Sequence, residues 1–599
     1  MRKGDLVMAS ERGYLWPKDE YKKYDELNSR YAYSRLPVEG SAAMISGISG
    51  ALAVHAGLKA LQQGGSAADA AMTTSLAQIV LSGGSEISFA GVLNMVYYDA
   101  ATGKVHSMNA ANNTVQEEKD PMSIPFFGTP SGRATLVPGF MAGVQAAHDR
   151  FGKLPFAKLF EPSIYFAEKG FVLDPVIKWW MDPLGTREKV LSRLPETREI
   201  FTKENGEFYG EGDLFRQPQL AKTLSKIAEE GADYMYRGEW AKKLVESLRR
   251  DGGKMTLKDL EDYKVLWSDP LKTTYRDYEV CAIDFPTFGG AKAIEAFNLL
   301  ECIDFDRSKH YTESPEELFW FIQIARSHYY LSDDIDMDRL PIDPELVKRY
   351  LPDGDFSLKS RVKKDTAKLL WSRLREMGGW IPLNQEILKM RRMKSGSTSA
   401  VVAVDEEGNI ASVCHTINSV GWGTSGIFVD GISIPDSACF QQPQVKRAGP
   451  GNRFPEMTNP LVVLKNGKPV LASSCTGVGV HEVTVQNICN VLDYGMDPQT
   501  AEQTPKFGIP VFRDEDMTSL ESINNRTEYE KQFIEKDFSA EVLEGVRKLG
   551  QELEITPPSK GSKVSIEGYG RWAGIHIDSQ TGKLRGGVHS GLNGLAEGY

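Results

Sequence analysis

Gly396-Ser397-Thr398-Ser399-Ala400-Val401-Val402-Ala403-Val404-Asp405 leads through Glu406-Glu407-Gly408-Asn409 into Cys414-His415-Thr416-Ile417-Asn418. The β-branched run and the Glu-Gly-Asn turn read as two antiparallel strands, Thr398 to Val404 and Ile410 to His415. Three small hydroxyl residues, Ser397, Thr398 and Ser399, stand at the entrance of the first. A backbone cut there would expose a new α-amino group beside a hydroxyl, giving a nucleophile that carries its own base. Thr416 and Asn418 are two positions apart, so on an extended strand their side chains share one face.

Working outward, Leu461 to Leu464 and Val470 to Ala472 are further short strands around a Lys465-Asn466-Gly467 turn, and His481 to Leu492 has helical periodicity. Val92 to Ser107 reads as a hairpin about Asp99-Ala-Ala-Thr-Gly103. Residues 41 to 80 read as helix, broken at Gly64-Gly65, and Phe151 to Glu168 and Gln219 to Arg250 as helices with charged outer faces. Strand clusters between helical layers, joined by hairpins, predict an α+β sandwich of sheets covered by helices. Asn384 to Gly396 reads as a cationic linker, and Arg513 to Glu554 as an inserted loop with a helix over Asp537 to Gln551.

The chain has 599 residues, 41% hydrophobic and 25% charged, with a formal charge of −11, so it can bury a large core and has no basic footprint for nucleic acid. Six cysteines without a CxxC pair predict neither a disulfide framework nor a zinc site. Charges interrupt the N-terminal stretch where a secretory signal needs an apolar run, and no window reaches the roughly 20 apolar residues that span a bilayer. The expectation is a cytoplasmic protein with no membrane partner. Phosphate-loop, zinc-protease and GxSxG signatures are absent, so no cofactor or metal is expected; with nine histidines, a Ser-His-Asp triad stays open.

The opening stretch resembles the γ-glutamyltranspeptidase family of N-terminal nucleophile hydrolases, in which a threonine opens the small subunit, enters a Val-Val-Asp strand and is followed by Thr-Leu-Asn. Gln63-Gly64-Gly65-Ser66-Ala67-Ala68-Asp69-Ala70-Ala71 is similar to another family block, as are Val137-Pro138-Gly139, Phe151-Gly152, Leu154-Pro155, Asp493-Tyr494-Gly495 and the final Gly598-Tyr599. The resemblance runs from about Met44 to Tyr599. It implies a four-layer αββα sandwich of two antiparallel sheets, and autocatalytic cleavage between Ser397 and Thr398. The products would be a large subunit, 1–397, and a small one, 398–599, sharing one core as a heterodimer or a dimer of heterodimers. It further implies Thr398 as nucleophile, Thr416 as its orienting partner and Asn418 as a contact to nucleophile or substrate. The oxyanion site would come from Thr476 and Gly477, in a Ser473-Ser474-Cys475-Thr476-Gly477 loop before the His481 helix.

The substrate clamp departs from the family pattern. Ala110 stands in place of the arginine that holds the γ-glutamyl carboxylate, and Pro455-Glu456 replaces a serine pair. Glu456 would repel a carboxylate, and Asp436 alone remains of the clamp for the α-amino group. Three readings follow: an amidohydrolase or acyltransferase for a small-molecule amide with a non-γ-glutamyl acyl group, a glutathione hydrolase or γ-glutamyltransferase that holds its substrate by other residues, and an inert scaffold of another functional class.

Overall fold

The computed structural model describes residues 37–182, 185, 187–304, 309–331, 348–386, 398–510, 531–556, 569–589 and 593–599. Ser397, most of the expected cationic linker and the first part of the expected insert lie outside the described residues.

Fourteen strands build two seven-stranded sheets. In chain order they are β1 (Val38–Gly40), β2 (Met44–Gly47), β3 (Val92–Asp99), β4 (Lys104–Ala110), β5 (Leu266–Ser268), β6 (Leu271–Tyr275) and β7 (Tyr278–Ala282), then β8 (Ser399–Val404), β9 (Ile410–Thr416), β10 (Leu461–Lys465), β11 (Lys468–Gly477), β12 (Gly570–Ile577), β13 (Leu584–Val588) and β14 (Leu595–Gly598). The first sheet has the order β14-β2-β8-β9-β3-β4-β5, the second β1-β13-β12-β11-β10-β7-β6. All pairings within these two sheets are antiparallel.

Side-chain alternation sorts the strands into layers. Ala400, Val402 and Val404 of β8 face a core shared with Val462, Ala472, Ala573 and Ile575 of the second sheet. Val401 and Ala403 face the opposite way, into a core with α1 (Ala51–Gln62), α2 (Ala67–Leu81) and α3 (Phe140–Phe151). On the far side, Val463, Leu471, Cys475 and Trp572 pack beneath α5 (Gly289–Leu300), α6 (Pro315–Tyr330) and α7 (Val480–Leu492), while α4 (Pro175–Met181) lies with the first helical layer. β8 is buried on both faces, which is why its sequence is a continuous apolar run rather than an alternation. The expected αββα sandwich is the observed one.

Three differences from the sequence reading have physical causes. Residues 41 to 80 are not helical throughout: Met44–Gly47 is a buried strand between β8 and β14, too short to show a period of two. β11 runs to Gly477 rather than ending at Ala472, so the Ser473–Gly477 segment is strand, not loop, and pairs with β12 through Gly477 and Gly570. Its small and hydroxyl residues mask β propensity, but Trp572 and Ala573 opposite them supply the packing. Asn418 lies beyond the end of β9 in the left-handed region, φ 51°.

Two carboxylates tie the halves together. Asp69, third residue of α2, accepts from the backbone of Ser66, Lys153 and Leu154 at 2.9, 2.7 and 3.1 Å. Asp405, just past β8, accepts from the backbone of Ala67 at 2.9 Å, and from those of Glu407 and Asn409 at 3.0 Å each. The turn after β8 is thereby pinned to the N-terminus of α2. Asp405→Ala removes a charged acceptor from three backbone donors, and a loss of about 3 kcal/mol of stability is expected. Urea unfolding should show it as a lower midpoint, whereas Asp365→Ala, at a fully exposed side chain, should shift it by no more than about 0.5 kcal/mol.

Candidate active site

Thr398 precedes β8 and has the parity of Ala400 and Val402, which face the space between the sheets. Its Oγ1 donates to Thr416 Oγ1 at 3.1 Å. Thr416 closes β9 and is buried; its Oγ1 also accepts from the backbone N–H of Asn418 at 3.3 Å. Asparagine tolerates the left-handed backbone that this turn needs. The turn leaves Asn418 Nδ2 buried without a hydrogen-bond partner, while its carbonyl accepts from Gln441 Nε2 at 2.8 Å. Two residues past Thr416, the hydroxyl partner of Thr398, this side chain is a buried donor at the expected site.

Inter-sheet bonds place the next part of the site. Ser412 Oγ donates to the Ser473 carbonyl at 2.7 Å, and Ser474 Oγ to the Val413 carbonyl at 2.9 Å. With β11 stacked on β9 in this register, Thr476 lies at the level of Thr416, on the same inter-sheet face as Ala472 and Ser474. Thr476 Oγ1 is buried without a partner, and Gly477 has φ +91°, where a Cβ would come within 3.0 Å of the Tyr569 carbonyl. α7 begins three residues later, so its N-terminal dipole favours negative charge at this end of β11.

Histidine takes no part at Thr398 through its strand neighbour. His415 points to the helical side, where its Nε2 meets Gln78 Oε1 at 2.8 Å, and burial lowers its pKa to about 3. It is neutral, and it stands on the wrong face of β9 to serve as base.

The expected clamp residues have other surroundings. Asp436 is buried with both oxygens engaged: Oδ1 accepts from the Ser419 hydroxyl at 2.7 Å, and Oδ2 from the Thr424 N–H and hydroxyl at 2.6 and 2.8 Å. It therefore closes the 419–436 loop. Glu456 is buried in a polar cluster between the sheets. Its Oε1 accepts from the hydroxyls of Thr458 at 2.6 Å and Thr287 at 3.1 Å and from Asn94 Nδ2, and its Oε2 from the Thr458 N–H at 3.0 Å. Burial raises its pKa, and these donors oppose the rise. Ala110 is taken out of the cleft. Its methyl backs onto Gly143 of α3, and its N–H donates to Asn94 Oδ1 at 3.1 Å.

Two charged residues near the site escaped the sequence reading. Arg571, opposite Thr476 in the β11–β12 ladder, is 2% exposed, with Nε and Nη1 unpartnered. Glu86, in the loop between α2 and β3, is 4% exposed with Oε2 unpartnered, and burial pushes its carboxyl up to about 8 against the pull of Arg571. The available signal was a lone arginine in phase with Ala573 and Ile575, which a buried strand face does not otherwise hold.

The profile of the family described as Gamma-glutamyltranspeptidase matches residues 53–584. A Bacillus subtilis protein named glutathione hydrolase proenzyme is 25% identical, the match covering 99% of this chain and 96% of that protein. An Escherichia coli glutathione hydrolase proenzyme is 26% identical over 88% of this chain and 89% of its own length. The crystal structure of a cephalosporin acylase from Bacillus halodurans superposes with TM-score 0.74 over 95% of this chain and 98% of that one, at 21% identity, a likeness of fold.

The two expected oxyanion positions can be separated experimentally. Thr476→Ala removes only an unpartnered hydroxyl and should keep kcat/KM within about threefold, whereas Gly477→Ala places a Cβ at φ +91° and should lower it at least tenfold. Steady-state kinetics on the two purified variants decides between backbone and side-chain donation at this end of β11.

Proposed function

The chain belongs to the γ-glutamyltranspeptidase family and is an enzyme of the N-terminal nucleophile hydrolase type, and on that premise we propose an autoprocessing threonine amidohydrolase or acyltransferase whose acyl group is not γ-glutamyl. The observation that carries this reading is the 3.1 Å hydrogen bond from Thr398 to Thr416, in a place where the neighbouring histidine is neutral and turned away.

In the precursor, Thr398 Oγ attacks the carbonyl carbon of residue 397, the peptide C–N bond breaks, and the nitrogen becomes the α-amine of Thr398. Water then hydrolyses the ester to release the two fragments. Strands from both sides of the cut contribute to both sheets, so the fragments stay together as a heterodimer. In turnover, the free amine takes the Thr398 hydroxyl proton as Oγ attacks the amide carbonyl, and Thr416 holds the oxygen in place. The negative charge that develops on the carbonyl oxygen is met at the Thr476–Gly477 end of β11. The amine half leaves with the proton, and water attacks the acyl ester to regenerate Thr398 Oγ.

Support for a changed acyl group comes from Ala110, whose side chain is outside the cleft, and from Glu456, an acid where the resemblance places a hydroxyl pair. Relatives named for glutathione hydrolysis favour the competing substrate reading, and kinetics separates the two. The expected result is that a γ-glutamyl anilide and glutathione are turned over at least tenfold less efficiently than an uncharged acyl anilide, since loss of a buried charge's partner costs several kcal/mol. A strong γ-glutamyl preference would overturn the specificity and leave the Thr398 chemistry standing.

Processing has its own test. Intact mass should give two associated fragments, and N-terminal sequencing of the smaller should begin at Thr398. Thr398→Ala should remain uncut and inactive, whereas Ser399→Ala should still be cut. An active enzyme that stays a single chain would contradict the reading.

A further inference from the structure

β12 packs over β8 and β2, on the opposite side of Thr398 from the Glu456 cluster, which is built on β3 and β4. Arg571 is the second residue of this strand, in register with Thr476, and its parity with Ala573 and Ile575 aims it between the sheets, toward the end of the sandwich that holds Thr398. Its Cζ lies 5.8 Å from the centre of the Trp179 ring of α4. The residue is thus surrounded by an aromatic face, the oxyanion strand and the Glu86 loop, and it is almost wholly out of solvent.

A guanidinium remains charged in any such setting, and burying it without a bonded anion costs several kcal/mol. Glu86 is the anion at hand, yet it makes no hydrogen bond to the guanidinium, and burial holds it largely in the neutral form at pH 7. A structural ion pair would close to hydrogen-bonded contact, as Arg361 does elsewhere in this molecule, where its Nη1 donates to both oxygens of Glu295 at 2.9 and 2.8 Å. Arg571 keeps Nε and Nη1 without partners instead, on the strand that packs over β8.

We propose that Arg571 is a specificity-determining residue that receives a carboxylate of the amide substrate, its partnerless N–H groups donating to that carboxylate while Trp179 stacks along the guanidinium. The assignment rests on the amidohydrolase reading above. The strand of Arg571 packs over β8 and β2, away from Glu456, so a γ-glutamyl group oriented as the family resemblance implies would not meet this guanidinium. Two sources share this chemistry, a carboxylate on the acyl half and one on the released amine.

Matched substrates distinguish the two. Processed wild type, Arg571→Gln and Arg571→Lys are assayed on butyryl and succinyl p-nitroanilides, and on an N-butyryl amino acid and its methylamide. Wild type is expected to prefer one carboxylate-bearing member over its neutral match by tenfold or more, mostly through KM. Arg571→Gln should abolish that preference while the neutral substrates change less than about threefold, and Arg571→Lys should retain part of it. Preference for the succinyl anilide assigns the acyl half; preference for the N-butyryl amino acid assigns the amine. Equal loss on charged and neutral substrates, or no preference in wild type, overturns the proposal. Because a glutamine at this buried position can compromise folding, wild type and Arg571→Lys are also titrated calorimetrically with succinate and succinamide. Tenfold tighter binding of succinate by wild type that falls in Arg571→Lys supports Arg571, and equal binding, or a preference unchanged in Arg571→Lys, refutes it. If no amide is turned over, the hydrolase reading falls, and the calorimetry still decides the role of Arg571.

Discussion

Ser412 donates its hydroxyl to the carbonyl of Ser473, and Ser474 donates its own to the carbonyl of Val413, so two stacked sheets are cross-linked through their shared core. Apolar faces alone slide; hydroxyl-to-carbonyl bonds in a dry interface do not, because a slip of one residue would leave four polar groups buried and unmade. The register that they hold brings the end of β11 over the start of β8 and the end of β9. Thr398, Thr416 and the Thr476–Gly477 end of β11 come from segments far apart in the chain, and this stacking is what brings them to one end of the sandwich. The carboxylates Asp69 and Asp405 do the same for the helical layer, by fixing the turn after β8 to the start of α2.

The order of the strands also explains how a cut before Thr398 is compatible with an intact fold. β8 is central in the first sheet, between β2 and β9, and its two faces are covered by the second sheet and by α2. A new terminus at its entrance leaves every ladder bond of Ser399–Val404 in place. Charged residues flank Thr398 on two sides: an acid cluster at Glu456 toward β3 and β4, and the guanidinium of Arg571 toward β2. The two lie on opposite sides of Thr398, and in the proposed function substrates are sorted by which side their charged end must occupy.

Much of this was legible in the sequence where side chains alternate or turns are marked. The β8–β9 hairpin, the β3–β4 hairpin and α7 follow from β-branched runs, Gly-Asn and Asp-Gly turn residues and a 3.6-residue period. The pairing of Thr398 with Thr416 came from the family resemblance alone, and the strand spacing spoke only to Thr416 and Asn418 sharing a face. What the sequence hid was set by tertiary pairing. Met44–Gly47 is too short for periodicity, and Ser473–Gly477 looks like a loop until β12 pairs with it. Asp436 reads as the remnant of an ammonium clamp and Glu456 as a repelling acid, and one dimension cannot show that Ser419, Thr424, Asn94 and Thr287 also bond to their oxygens. Arg571 and Glu86 are 485 positions apart in the sequence, and only the fold makes them neighbours.

The central claim is that residue 398 carries the acyl group during turnover. Incubating the processed protein with a slowly deacylated p-nitrophenyl ester or anilide, quenching in acid and mapping the small fragment by tandem mass spectrometry tests it directly. The account predicts one acyl adduct, on the N-terminal residue Thr398, formed in step with the burst of released chromophore. An adduct on a different residue, or a burst without any adduct at Thr398, would contradict it.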